Sequence, residues 1–211
     1  MILRKTVEGI FATNAYFYFD ENTRHGILID PGFEAGALLA VIRERGLFIE
    51  KILITHGHFD HFAVAEELQQ ALSCPIVMGE RSREYVGSPY LNLSANYRPL
   101  TLSDVTYVPD GTAVPLETNP AMCLTLVSVP GHTPDSMMFL PSDTPAAFVG
   151  DSIFRNSFGL THFPGGNARM LFESCMQRIL ALPDETRLLS GHSEPTTVGE
   201  EKERPWFRHV A

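Results

Sequence analysis

The stretch Lys51-Ile52-Leu53-Ile54-Thr55-His56-Gly57-His58-Phe59-Asp60-His61 decides how this chain is read. It opens with a short apolar run of the kind that forms a buried strand. It then packs four potential metal ligands, His56, His58, Asp60 and His61, into six residues. In an extended segment residues two apart project to one side, so His56 and His58 are expected to grip one ion together. The run Phe62 to Leu72, with Val64, Leu68, Ala71 and Leu72 on one face, predicts a helix beginning at or just after His61. Asp60 and His61 would then swing to a neighbouring position and suit a second ion.

Three further candidate ligands follow strand-like runs, each with glycine before it: His132 in Pro130-Gly131-His132-Thr133, Asp151 in Gly150-Asp151-Ser152, and His192 in Ser190-Gly191-His192. Glycine permits a tight bend where a strand ends. His132 could complete the first ion's set and His192 the second, while Asp151 can bridge both with its two oxygens. Imidazole and carboxylate suit zinc, with iron and manganese as alternatives. Seven ligands exceed the need of one tetrahedral ion and match two divalent ions sharing a carboxylate.

Two such ions held about 3.5–4 Å apart can share a water, lower its pKa and orient it as a nucleophile. No protein nucleophile is then required, and the chain has no Gly-x-Ser-x-Gly elbow, phosphate-binding glycine loop or dinucleotide fingerprint. Closed structural zinc sites use four ligands, often cysteine. The pattern therefore points to catalysis. Asp30, at the end of Gly26-Ile27-Leu28-Ile29, could orient a ligand histidine or simply form the turn before Pro31-Gly32. His25 and His209 read as ordinary surface or core histidines.

The rest of the chain supplies a frame. Its 211 residues are 44% hydrophobic and 19% charged, with 16 glycines and 15 prolines punctuating short elements. No repeat or linker interrupts residues 1–211, which read as one α+β domain: two sheets face to face, helices outside. Strands are expected at 2–10, 15–19, 26–30, 51–54, 75–78, 105–108, 123–129, 137–140, 147–150 and 187–190, and helices at 37–45 and 168–182. The irregular stretch Arg81 to Asp104 is long enough to suggest a functional loop.

A net charge of −9 argues against nucleic acid or an anionic membrane as partner. The site reverses that sign locally, because two divalent cations outweigh Asp60 and Asp151, so a small anionic substrate is expected. Cys74, Cys123 and Cys175 are odd in number and far apart, which suggests buried thiols and a cytoplasmic setting. No apolar run approaches the roughly 20 residues of a membrane span.

At these residues the chain resembles the metallo-β-lactamase superfamily, and within it the short glyoxalase II-like hydrolases. Thr55-His56-Gly57-His58-Phe59-Asp60-His61 is similar to that family's Thr-His-x-His-x-Asp-His signature, and Gly131-His132-Thr133-Pro134, Gly150-Asp151-Ser152 and Gly191-His192 to its later motifs. Phe163-Pro164-Gly165-Gly166-Asn167 and Thr196 to Glu201 are similar to segments of the short members. The resemblance implies a four-layer αββα sandwich with the metals at one edge of the packed sheets. It places a first metal on His56, His58 and His132, a second on Asp60, His61 and His192, and Asp151 between them. It implies hydrolysis of a small thioester or ester, as in hydroxyacylglutathione hydrolases, with Asp60 as the catalytic residue positioning the attacking hydroxide. Alternatives on the same fold are a persulfide dioxygenase with one iron on His56, His132 and Asp151, or a lactonase. Antibiotic hydrolysis is not expected, since no export signal opens the chain. The chain departs from the family at Asp135, usually Gly, and at Gly159-Leu160-Thr161-His162, where short members often read Gly-Arg-Thr-Asp.

Overall fold

The computed structural model describes residues 1–204, so His209 lies outside the described residues. The layering follows from which faces of the strands are apolar. In β2 (Thr13–Phe19) every residue is buried: Phe17 and Phe19 face one apolar cluster, Tyr16 and Tyr18 another. Beside it, β3 (His25–Ile29) splits Leu28 from Ile27 and Ile29 in the same way. Strands apolar on both faces must be covered on both.

The first sheet runs β1 (Ile2–Val7), β2, β3, β4 (Phe48–Leu53), β5 (Ile76–Gly79) and β6 (Val105–Val108), antiparallel up to β3 and parallel thereafter. The parallel connections carry α1 (Ala35–Arg45), α2 (Phe59–Phe62), α3 (Ala65–Leu72) and α4 (Ser82–Val86). Leu38 and Ile42 of α1 and Leu68 of α3 pack onto this sheet's outer cluster. Helix α1 ends, as its sequence predicts, on left-handed Gly46.

The second sheet takes β7 (Ala113–Pro115), β8 (Cys123–Ser128), β9 (Met137–Pro141), β10 (Ala146–Gly150), β13 (Arg187–Ser190) and β14 (Thr196–Thr197), in the spatial order β14-β13-β10-β9-β8-β7. A hairpin of β11 (Ile153–Phe154) and β12 (Ser157–Phe158) stands apart from it. Helices α5 (Ala168–Ser174) and α6 (Val198–Lys202) follow, and Leu171 and Val198 join the cluster on the second sheet's outer face. Between the sheets, Tyr16, Ile29 and Leu53 meet Leu124, Phe139 and Phe148. Three apolar layers thus bind four structural ones, the expected αββα sandwich.

Several local expectations need correction. The helix read from Phe62 to Leu72 is broken at Ala63-Val64 because another segment takes its hydrogen bonds: Gly32 N–H donates to His61 O, and Val64 N–H donates to Gly32 O. Ala71, placed on the apolar face, is exposed. The helix expected to reach Leu182 gives way after Ser174 to a π-turn over Cys175–Ile179, closed by Leu180 N–H donating to Cys175 O. The segment Arg81 to Asp104 holds α4 and is otherwise pinned by buried Asn92 and Ser94. Strands β7, β11, β12 and β14 are two or three residues long, too short to show a period in sequence. Cys74 and Cys175 are buried, Cys123 is half-buried, and all three are free thiols.

Candidate metal centre

Four strand ends meet at one edge of the sandwich. The loop after β4 bends through Thr55-His56-Gly57 rather than continuing extended, and α2 then carries Asp60 and His61. His132 lies in the turn after β8, Asp151 directly follows β10, and His192 lies two residues beyond β13. Gly150 has φ +49°, a left-handed conformation that lets β10 turn Asp151 inward. Gly191 is needed for space: a Cβ there would collide with Asp151 Oδ1 and the His61 ring.

His56, His58 and His132 present ring nitrogens to one point. His58 Nδ1 lies 3.1 Å from His56 Nε2 and 3.0 Å from His132 Nε2. The outer nitrogens fix which atoms are bare. His132 Nδ1–H donates to Leu160 O at 2.6 Å. Thr55 Oγ1 donates to Asp30 Oδ2, so the 3.1 Å contact between Thr55 Oγ1 and His56 Nδ1 requires the imidazole to donate. Nε2 of His56 and of His132 are therefore both lone pairs, and His58 can satisfy only one of them. His58 Nε2 is itself buried without a partner.

Asp60, His61 and His192 form a second group sharing Asp151 with the first. His192 Nε2 is 3.1 Å from Asp60 Oδ2 and 3.3 Å from Asp151 Oδ2, and its Nδ1–H donates to Ala12 O at 2.8 Å. His61 Nε2 is 3.4 Å from Asp151 Oδ1. Asp151 Oδ2 is also 3.7 Å from His132 Nε2, so its carboxylate faces both groups. Asp30 sits where both of its readings place it, beside a candidate ligand histidine and in a tight turn. Its Oδ2 lies 3.0 Å from His61 Nδ1, its Oδ1 accepts from Thr55 N–H, and its own φ is +48°. A non-glycine residue in that region costs of order 1–3 kcal/mol, and the two hydrogen bonds from Thr55 hold it there.

The two groups differ electrically. Burial, with the neighbouring His61, His58 and His132 rings, holds His56 well below the usual histidine range. Burial and His132 push His58 down to about 3. Burial also lowers His132, against the pull of Asp151. All three are neutral at pH 7, the form a cation needs. In the second group burial again opposes charge, but Asp151, Asp30 and Asp60 outweigh it and hold His61 well above its ordinary value. Burial is likewise overcome at His192, which Asp151 and Asp60 raise to about 10. Burial would raise Asp60 and Asp151, but His61 and His192 keep both below the usual carboxylate range. A cation entering here replaces protons.

These residues fit a metal pair on chemistry alone: converging lone pairs, an orphaned buried nitrogen, and a carboxylate between the two groups. All seven sequence-derived ligands come together, in the sets His56/His58/His132, His56/His61/Asp151 and Asp60/His61/His192. Asp30 adds a third carboxylate to the centre beside Asp60 and Asp151. His162 is exposed, lies tilted against the Phe163 ring and does not line the cavity. Asp135 is fully buried and accepts from Gly57 N–H at 2.8 Å, bracing the loop between His56 and His58. The motif Phe163 to Asn167 clamps the His132 turn: Asn167 N–H donates to Gly131 O, and Tyr85 Oη donates to Pro164 O. Tyr85 and the Ala12 and Leu160 carbonyls went unread in the sequence, since a backbone acceptor leaves no side-chain signal.

A cavity of about 710 Å³ opens on this centre. Its floor is His58, Asp60, His132, Asp151 and His192; its walls include Phe11, Tyr90, Tyr97, Phe154, Leu160 and Phe163.

A family model described as the metallo-beta-lactamase superfamily matches residues 9–192. The chain is 30% identical over 97% of its length to "Probable metallo-hydrolase YqgX" of Bacillus subtilis, covering 96% of that protein. It is 29% identical to the hydroxyacylglutathione hydrolase GloC of Haemophilus influenzae, over 91% of each chain. Among solved structures it is similar to the B3 metallo-beta-lactamase BLEG-1, with TM-score 0.90, 29% identity and coverage of 98% and 99%. It is also similar to TTHA1623 in a di-iron-bound form, with TM-score 0.84, 31% identity and coverage of 97% and 99%.

Proposed function

The chain belongs to the metallo-beta-lactamase superfamily, and from that premise we propose that it is a metal-dependent hydrolase cleaving a small thioester or ester. The observation that carries this reading is Asp151, whose carboxylate lies between two ligand groups that otherwise share little. His56, His58 and His132 would hold one divalent ion and Asp60, His61 and His192 the other, with zinc first and iron or manganese as alternatives. The di-iron form of the similar TTHA1623 supports a pair of ions, and the name of the H. influenzae relative supports a thioester. When bound, such ions supply Lewis acidity that activates water near neutral pH and polarises a carbonyl.

The chain's own residues do the rest. Asp60 lies in the cavity floor, where its carboxylate would accept a hydrogen bond from a water and orient it for attack. Asp30, Leu160 O and Ala12 O hold the His61, His132 and His192 rings in register. Phe163 packs edge-on against His58 and His132 and limits solvent on that side. Among the described residues no helix is long and apolar enough to cross a membrane. Free, largely buried thiols support a cytoplasmic setting.

The test is a panel of thioesters, esters, lactones and a chromogenic β-lactam, assayed on protein stripped by chelator and reloaded with zinc, iron or manganese. Turnover that disappears with chelation, returns with metal and is lost in Asp60→Asn with metal retained is the expected result. A fully loaded protein that cleaves no panel member contradicts the proposal.

A further inference from the structure

We propose that the acyl group this protein accepts is an uncharged, apolar chain of medium length, and that a glutathione leaving group is disfavoured. The inference rests on the hydrolase reading and adds the substrate class. It comes from the juxtaposition of five polar floor residues with walls that are almost wholly apolar. Among the described residues lining the cavity there is no Lys or Arg, and the neutral polar groups of the walls are the Asn96 amide and the Tyr90 and Tyr97 hydroxyls. Glutathione carries two carboxylates and an ammonium, and no charged side chain on these walls would pair with them. Arg98, next to Tyr97, lines an adjoining groove that shares Phe59 and Tyr97 with this cavity, and Glu66 and Glu67 line that groove with it.

The rim repeats the pattern. Phe11, Tyr90, Tyr97 and Leu160 are 50%, 70%, 53% and 56% exposed, an unusual concentration of open apolar surface around one cavity. Such patches mark binding sites. The loop that delivers Tyr90 and Tyr97 is fixed from below: Asn92 O accepts from Phe59 N–H at 2.9 Å, and Asn92 Nδ2 donates to Leu100 O. Leu160 is fixed too, since its carbonyl holds His132. An uncharged substrate departs from the anionic one expected from the sequence. Asp30 joins Asp60 and Asp151 at the centre, and the three carboxylates would offset three of the four positive charges that two divalent ions would bring. Hydrolysis forms the bond from water oxygen to acyl carbon, breaks the C–S or C–O bond, and passes a water proton to the leaving atom. No co-reactant is needed.

The zinc-loaded protein should be assayed on p-nitrophenyl acetate, butyrate, hexanoate and octanoate, and on octanoyl thioesters of glutathione and of the neutral thiol N-acetylcysteamine. Burial of each methylene should raise kcat/KM about fourfold until the cavity is full. The neutral thioester should exceed the glutathione one by about tenfold or more, and Leu160→Arg should close most of that gap. Binding of 2-butanone and 2-decanone to the metal-free protein supplies a readout independent of turnover, with 2-decanone binding tighter by at least about a hundredfold. Rates flat in chain length, a preference for glutathione, or equal ketone affinities would overturn the inference. Chain-length-dependent ketone binding with no hydrolysis of any substrate would leave the apolar pocket standing and remove the hydrolase reading instead.

Discussion

The floor and the walls of the cavity follow opposite rules. The floor is assembled from side chains that are mostly buried, come from strand ends, and are tied by further groups: His61 to Asp30, His132 to Leu160 O, His192 to Ala12 O. The walls are apolar, partly exposed, and come largely from the 81–104 segment and the 153–164 region. Strand ends locked into a layered core can hold atoms to a fraction of an ångström, which a metal pair requires. Loops set specificity because they change without disturbing that core.

Substitutions can break this contrast from either side. The largest effect is expected in the floor. Asp151→Ala should lower kcat/KM by at least about a hundredfold on every substrate, because it removes the group common to both ligand sets. An effect confined to long acyl chains would instead place Asp151 among the specificity residues. One layer back, Asp30→Asn should weaken metal affinity about 10- to 100-fold by loosening the His61 ring, measured by competition with a fluorescent chelator. Unchanged affinity would make Asp30 only a turn former.

The wall should respond selectively. Tyr97→Ala should reduce kcat/KM about tenfold for octanoate and leave acetate nearly unchanged, since only the longer chain reaches that ring. Equal losses on both would mean that Tyr97 supports the floor through its stacking on Phe59.

The smallest effect tests the brace under the floor. Burial raises the Asp135 carboxyl above its usual value, more than the nearby Thr133 and Ser82 hydroxyls and the bond from Gly57 N–H lower it. The folded state then keeps a proton at pH values where the unfolded chain has lost it, so this carboxyl reduces stability as pH rises above about 3.9. Asp135→Asn keeps an acceptor for Gly57 N–H without the charge. It should raise Tm by about 2–4 °C at pH 7 and lose that advantage near pH 4, as followed by circular dichroism. A lower Tm at pH 7 would show that the charge itself holds the loop.

The same contrast governs what the sequence reveals. The floor is legible because His56, His58, Asp60 and His61 crowd one loop, and His132, Asp151 and His192 each follow a strand-like run and a glycine. The sandwich is legible because β2 is apolar on both faces. The wall is legible only in part: the irregular stretch that carries Tyr90 and Tyr97 reads as a functional loop, but Phe11 and Phe154 share no spacing with it, and only the folded chain brings them together. Tertiary hydrogen bonding also hides the break between α2 and α3, because Gly32 takes over bonds that local periodicity assigns to one helix. Asp30 was legible only as a choice between turn and tether, and the fold uses both.

Metal content tests the account most directly. Protein incubated with excess zinc, iron or manganese, then freed of unbound ions, should carry two divalent ions per chain by elemental mass spectrometry. Asp151→Ala, shown folded by circular dichroism, should carry one or none. A correctly folded wild-type chain that retains no metal from any of the three would contradict it.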